Sequence, residues 1–208
     1  MSKTVVVLAA GPDPPVQLIL PDGAMVIAAD AGAELGFAVD LLVGDLDSIS
    51  AETLAVIERV ERHPEAKDAS DLELALEAAL SHEPDRILVV GGAGGRLDHL
   101  LGELLLLAAD AYAGVQVDAQ LGPGAVHVIR GERVLAGEPG ELVSLFALHG
   151  PATGVVTEGL VYALRDETLH PGSTRGLSNV FSAAEARVSV GDGVLLAVRP
   201  NGTVPAES

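Results

Sequence analysis

Leu41-Leu42-Val43-Gly44-Asp45-Leu46-Asp47-Ser48-Ile49 is the stretch that decides the fold: a short apolar run, a glycine, then two aspartates two positions apart. A run this short, closed by glycine and acidic turn residues, reads as a buried strand handing over to a loop and a helix. An extended backbone points residues i and i+2 the same way, so Asp45 and Asp47 aim their carboxylates at one point. Two further stretches sit at similar hand-overs, Lys67-Asp68-Ala69-Ser70-Asp71-Leu72-Glu73 and Gly94-Gly95-Arg96-Leu97-Asp98-His99. Ser70 followed three residues later by Glu73 is a capping box, which puts Asp71 in the first turn of its helix.

Working outward, hydrophobic pattern and breakers predict strands at 4–10, 25–29, 41–43, 86–90 and 115–119. Helices are predicted near 31–37, 51–62, 71–82 and 96–109. Short apolar strands alternating with helices argue for an α/β domain whose parallel sheet is flanked by helices on both faces. Ligands in such sheets bind beyond the carboxyl ends of the strands, where Asp30, Asp45, Asp47 and the loop 91–96 fall. After Gly122-Pro123-Gly124 the texture changes to short β-type runs at 125–130, 141–147, 154–157, 160–164, 186–190 and 194–198. Runs of that kind between turn residues predict a small all-β sandwich or barrel. The expected organisation is an α/β domain over residues 1–121 and a β-sandwich domain over 122–208, with the tail 201–208 frayed.

Composition restricts the function. With 49% hydrophobic residues the chain is globular, and with no cysteine it has neither a disulfide framework nor a thiolate metal site. The formal charge of −18 is concentrated in residues 1–121, where 6 basic residues face 21 acidic ones. No basic stripe serves a nucleic-acid backbone or an anionic membrane, so neither is an expected partner. The opening Met1-Ser2-Lys3 runs into an apolar stretch too short for a span and without a signal-peptide layout before Pro12, so a soluble cytoplasmic protein is expected.

The acidic triad carries the chemistry. Mg2+ takes oxygen ligands, is held by one or two carboxylates, and fills its other positions with water and phosphate oxygens. Asp45 and Asp47, with Asp71 as a third carboxylate, fit a magnesium-nucleotide site. An acidic pair at a strand end also serves as a turn or cap, and Asp68 and Asp71 also suit a helix N-terminus through its dipole. The glycine-rich turn 91–95 could expose backbone N–H groups to an anion, with Arg96 as its cation, or could serve close packing. The six histidines show no close metal-ligand spacing, and Ser178 lacks the closing glycine of a nucleophile elbow.

These residues carry a resemblance to the thiamine pyrophosphokinase family over nearly the whole chain. Its GDxDS, KDxTDxE and GGRxDH signatures are similar to 44–48, 67–73 with Ser70 in place of threonine, and 94–99. Gly159-Leu160-Val161-Tyr162-Ala163-Leu164 and Gly176-Leu177-Ser178-Asn179 resemble its GLxYxL and GxSN elements. The resemblance implies transfer of a pyrophosphoryl group from ATP to thiamine, giving AMP and thiamine diphosphate. It implies Mg2+ on Asp45, Asp47 and Asp71 with Asp30 close by. Lys67, Gly94, Gly95 and Arg96 would lie along the nucleotide, and Asp98 within the catalytic set. It further implies thiamine contacts from Tyr162, Ser178 and Asn179, and a homodimer with active sites shared between subunits. Departures fall at Ala31 and Glu34, where the family often has glycine and asparagine, and at Glu103, where it usually has asparagine. Two alternatives stand beside this reading: a pyrophosphokinase acting on another hydroxymethyl heterocycle such as a pterin, and a non-catalytic thiamine- or nucleotide-binding regulator.

Overall fold

The structure is a computed structural model and describes residues 3–16, 18–64, 66 and 68–206. Lys67, expected along the nucleotide, lies outside the described residues. The chain forms two compact units. One runs to Leu106 and adds Val115–Gly122 and the tail from Pro205; the other comprises Leu107–Gly114 and Pro123–Val204.

The first unit contains, in chain order, β1 (Thr4–Leu8), β2 (Met25–Ala29), β3 (Leu41–Gly44), α1 (Ala51–Val56), β4 (Val60–Arg62), α2 (Asp71–Ser81), β5 (Arg86–Gly91), α3 (Leu97–Leu107) and β6 (Gln116–Leu121). The strands lie in the order β4-β3-β2-β1-β5-β6 and every neighbouring pair is parallel. Val5, Val6, Val7 and Leu8 on β1 and Ile87, Leu88, Val89 and Val90 on β5 are buried, as the continuous apolar runs of a covered parallel sheet require. Helix α2 closes part of that core. Its Leu72, Ala75, Leu76 and Ala79 recur at helical spacing, are buried, and pack against β1, β2 and β3. Burying one leucine in this way is worth roughly 2 kcal/mol.

Several expectations are corrected here. The helix expected over 51–62 stops at Val56, and Val60–Arg62 forms β4. Tertiary demand overrides helical propensity: β3 needs a partner on its outer edge, so Leu42 N–H donates to the Arg59 carbonyl and His63 N–H donates to the Gly44 carbonyl. Exposed Glu61 and Arg62 then blunt that edge. The helix expected at 31–37 is a short 3-10 helix, Asp30–Leu35, ended by Gly36 at φ 81°. The tail is tethered as far as Ala206: buried Arg86 pairs with Asp118 at 3.0 Å and donates to the Pro205 and Ala206 carbonyls.

The second unit contains β7 (Gly124–Ile129), β8 (Glu132–Ala136), β9 (Leu142–Glu158), β10 (Arg165–Leu169), β11 (Asn179–Val180), β12 (Glu185–Ser189) and β13 (Asp192–Arg199). Its strands run antiparallel in the order β7-β13-β9-β12-β8, and β10 and β11 also pair with β9. The runs 141–147 and 154–157 are parts of one strand, which carries on through Gly150-Pro151 with a register shift against β13. The expected strand at 160–164 reduces to a single bridge between Leu160 and Phe181. Sequence reading missed β8 and β10, whose charged, largely exposed residues mask the alternation. Leu145, Val155, Leu164, Phe181, Val188 and Leu195 anchor this unit's core. Among the described residues no helix is long and apolar enough to cross a membrane.

Candidate functional site

Strands β2 and β3 are neighbours, and each is followed at once by an acid. Asp30 follows β2 with φ 42°, a left-handed backbone that aspartate tolerates better than most residues, and is 8% exposed. Asp45 and Asp47 follow β3. One ligand atom from each of Asp30, Asp45 and Asp47 lies within 4.8 Å of the others. Hydrogen bonds aim the pair: Asp47 N–H donates to Asp45 Oδ1 at 3.3 Å, and the Ser48 hydroxyl donates to Asp47 Oδ1 at 2.6 Å.

Asp71 reaches the margin of this cluster from the start of α2, whose cap is Ser70 accepting from Glu73 N–H at 3.2 Å. Gly44 makes room for it. A Cβ there would lie 3.0 Å from both Asp71 Oδ1 and Asp30 Cβ, and Gly44 holds φ 149°, so a side chain at this position would separate the acids. Burial pushes the Asp30 carboxyl above its ordinary range; the neighbouring charges of Asp71, Asp45 and Asp47 push the same way, against a stabilising Ala31 N–H. Asp30 Oδ1 is buried with no hydrogen-bond partner among the described residues. An orphaned oxygen among crowded carboxylates is what a hard dication would satisfy, so the donor set fits Mg2+. The geometry gathers Asp30 more tightly than the sequence reading, which placed it only nearby, and leaves Asp71 beside the trio.

The two departures among the acids do not add to the cluster. Glu34 accepts from Ser50 N–H at 2.7 Å and from the Thr53 hydroxyl at 2.9 Å, and these bonds, the Ser50 N–H first, pull its pKa down. It thereby steadies the start of α1. Glu103 is half-buried on α3, and burial raises its pKa against the opposing charge of His99.

At the glycine-rich turn, part of the packing reading holds. Gly91 and Gly92 are buried, and a Cβ on Gly92 would collide with the Pro12 carbonyl oxygen. Gly94 and Gly95 are exposed, with Gly94 N–H 3.4 Å from that same carbonyl. Arg96 is also exposed and forms a two-pronged pair with Asp98, Nε to Oδ1 at 3.1 Å and a terminal nitrogen to Oδ2 at 2.6 Å. The guanidinium holds Asp98 down to about 2.

In the second unit, Tyr162 is 59% exposed and Ser178 is exposed with φ 55°, a strained backbone for a non-glycine residue. Asn179 is only 3% exposed. Its Oδ1 accepts from Tyr162 N–H at 3.0 Å and Val180 N–H at 2.9 Å, and its Nδ2 donates to the Tyr162 carbonyl at 2.8 Å. Ser178 N–H donates to Ser144 Oγ at 3.0 Å, and Leu145 N–H donates to the Gly176 carbonyl at 2.9 Å. Sequence reasoning missed Ser144, which sits on an ordinary alternating strand; only the pairing of β9 with β11 reveals its place.

Comparison with known proteins covers both units. The family described as "Thiamin pyrophosphokinase, catalytic domain" matches residues 16–117, and "Thiamin pyrophosphokinase, vitamin B1 binding domain" matches residues 126–195. The thiamine pyrophosphokinase of Bacillus subtilis (strain 168) is 28% identical over 170 residues, spanning 75% of this chain and 76% of that one. A crystal structure of thiamine pyrophosphokinase from Bacillus subtilis superposes with a TM-score of 0.81 at 24% identity, covering 97% of this chain and 100% of that one. A thiamin pyrophosphokinase family protein from Enterococcus faecalis gives 0.80 at 26% identity, covering 97% and 100%. With the two domain families matched in order along one chain and a full-length fold likeness behind them, this protein belongs to the thiamin pyrophosphokinase family.

Proposed function

We propose that this enzyme transfers the pyrophosphoryl group of ATP to the hydroxyethyl oxygen of thiamine, releasing AMP and thiamine diphosphate. The observation that carries the site assignment is the convergence of Asp30, Asp45 and Asp47, with Asp71 beside them, one of these acids, Asp30, keeping a buried oxygen that has no partner among the described residues. Asp45, Asp47 and Asp71, joined by Asp30, would hold Mg2+. Bound there, the ion would neutralise phosphate charge in the transferring group.

The chain's own residues supply the rest. The reaction forms a bond from the thiamine oxygen to the β phosphorus, breaks the bond from that phosphorus to the oxygen retained by AMP, and passes the alcohol proton to a carboxylate or to solvent. Such a step needs positioning and electrostatic stabilisation more than covalent work by the protein. Arg96 supplies positive charge beside the exposed Gly94-Gly95 turn, and Asp98 orients its guanidinium. Lys67 is assigned a second cation's role along the triphosphate. Tyr162 offers an exposed ring to the cationic substrate, and Ser178 a hydroxyl to its aminopyrimidine.

On this reading residues 1–121 are the parallel-sheet nucleotide domain and 122–208 a β-sandwich thiamine domain, in a cytoplasmic homodimer. Leu97, Leu101 and Leu105, exposed at 78, 56 and 39% along one face of α3, support self-association. Incubation with ATP, Mg2+ and thiamine, beside pterin and no-acceptor controls, tests the assignment by chromatography. AMP and thiamine diphosphate in equal amounts are expected. Product from the pterin alone, or binding of thiamine without product, would overturn it.

A further inference from the structure

We infer that Asn179 is a positioning residue that fixes Tyr162 for the substrate, and not itself a contact to thiamine; this rests on the thiamine reading above. The side-chain amide takes the place of a strand for the Tyr162 backbone, accepting its N–H and donating to its carbonyl at 3.0 and 2.8 Å. The same Oδ1 accepts from Val180 N–H, so the oxygen is fully engaged. At 3% exposure the amide has little surface left for a ligand. The residue it holds is the reverse: Tyr162 is 59% exposed and lies where pairing is thin, between the lone Leu160–Phe181 bridge and β10.

The clamp is anchored from behind. Asn179 and Val180 pair as β11 with Val143 and Leu142 of β9, Val161 N–H donates to the Val180 carbonyl, and Phe181 N–H donates to the Glu141 carbonyl. Glu141 in turn pairs with Arg199, which lies 5.4 Å over the Phe181 ring. A rigid scaffold thus ends in one amide that sets the path of the exposed tyrosine. Fixing the backbone that carries a contacting side chain before the ligand arrives lowers the ordering cost at binding.

A double-mutant cycle separates positioning from contact. Asn179→Ala should raise the thiamine KM about tenfold, with the ATP KM within about twofold of its starting value, since the amide bonds only Tyr162 and its own neighbour Val180. In a Tyr162→Ala background the same change should move the thiamine KM less than about twofold. Asn179→Asp, which keeps the acceptor and loses the donor, should fall between. Equal factors in the two backgrounds would show that Asn179 meets the substrate directly and overturn the inference. A second readout needs no turnover. The chain has no tryptophan and two tyrosines, so in a Tyr112→Phe background Tyr162 alone emits. Its emission anisotropy should fall on Asn179→Ala while the unfolding transition stays cooperative, and unchanged anisotropy would overturn the clamp. Loss of thiamine turnover in the unsubstituted protein would overturn the functional reading alone.

Discussion

The end of the parallel sheet and the β11 edge of the second unit solve opposite problems. At the sheet end, acids crowd: Asp30, Asp45 and Asp47 meet within 4.8 Å, Asp71 adds its charge, and a buried oxygen of Asp30 lacks a partner among the described residues. At the β11 edge the polar groups are neutral and answer one another, Asn179 with Tyr162 and Ser144 with Ser178. One site crowds like charges together; the other is already set. The contrast teaches that a protein can prepare a site in two ways, by leaving a deficit of positive charge for a ligand to fill or by holding its geometry ready beforehand.

Substitutions can break this contrast. The largest effect is expected at the acids: Asp47→Asn or Asp71→Asn should lower turnover at least about a hundredfold, measured as AMP release. Near-normal rates would mean that the cluster is not where phosphate charge is met. Tyr162→Ala should raise the thiamine KM about tenfold and leave the ATP KM within about twofold, by initial-rate kinetics. An effect on ATP instead would remove the tyrosine from the substrate face.

A finer test weighs the deficit itself. Asp30→Asn keeps a residue suited to the left-handed backbone and removes a buried like charge, so the metal-free protein should melt about 2–4 °C higher. The same variant should lose part of the rise in melting temperature that Mg2+ gives the unsubstituted protein. Lower stability without metal would show that the acids are not in conflict. The smallest effect concerns Arg96. Its guanidinium holds Asp98 down to about 2, so the pair is complete at neutral pH and survives until pH falls toward that value. Carboxyl NMR of Arg96→Ala should find Asp98 back near about 3.9, and a persistent low value would point to another partner.

How much was readable beforehand follows from which interactions are local. Gly44-Asp45-Leu46-Asp47 declares a strand end and a converging pair in its own letters, and Ser70 with Glu73 declares a helix start. Strand β4 could not be read, because Val60, Glu61 and Arg62 owe their shape to the open edge of β3. The engagement of the Asn179 amide was equally hidden, since its partner lies 17 residues earlier in the chain. Glu34, a departure from the family pattern in the sequence, has both its oxygens taken by Ser50 and Thr53, 16 and 19 residues further along, a pairing no local pattern declares.

Strand β13 has a consequence for how the protein is made. It is the last strand among the described residues, yet it lies between β7 and β9 and pairs with both. On the ribosome, β7 and the long β9 must therefore wait with open edges until Arg199 has cleared the exit tunnel. Long-range closure of this sort folds slowly. Rare codons just upstream of β13 would prolong that wait, and a chain released before residue 192 would offer two bare strand edges to its neighbours in the cell.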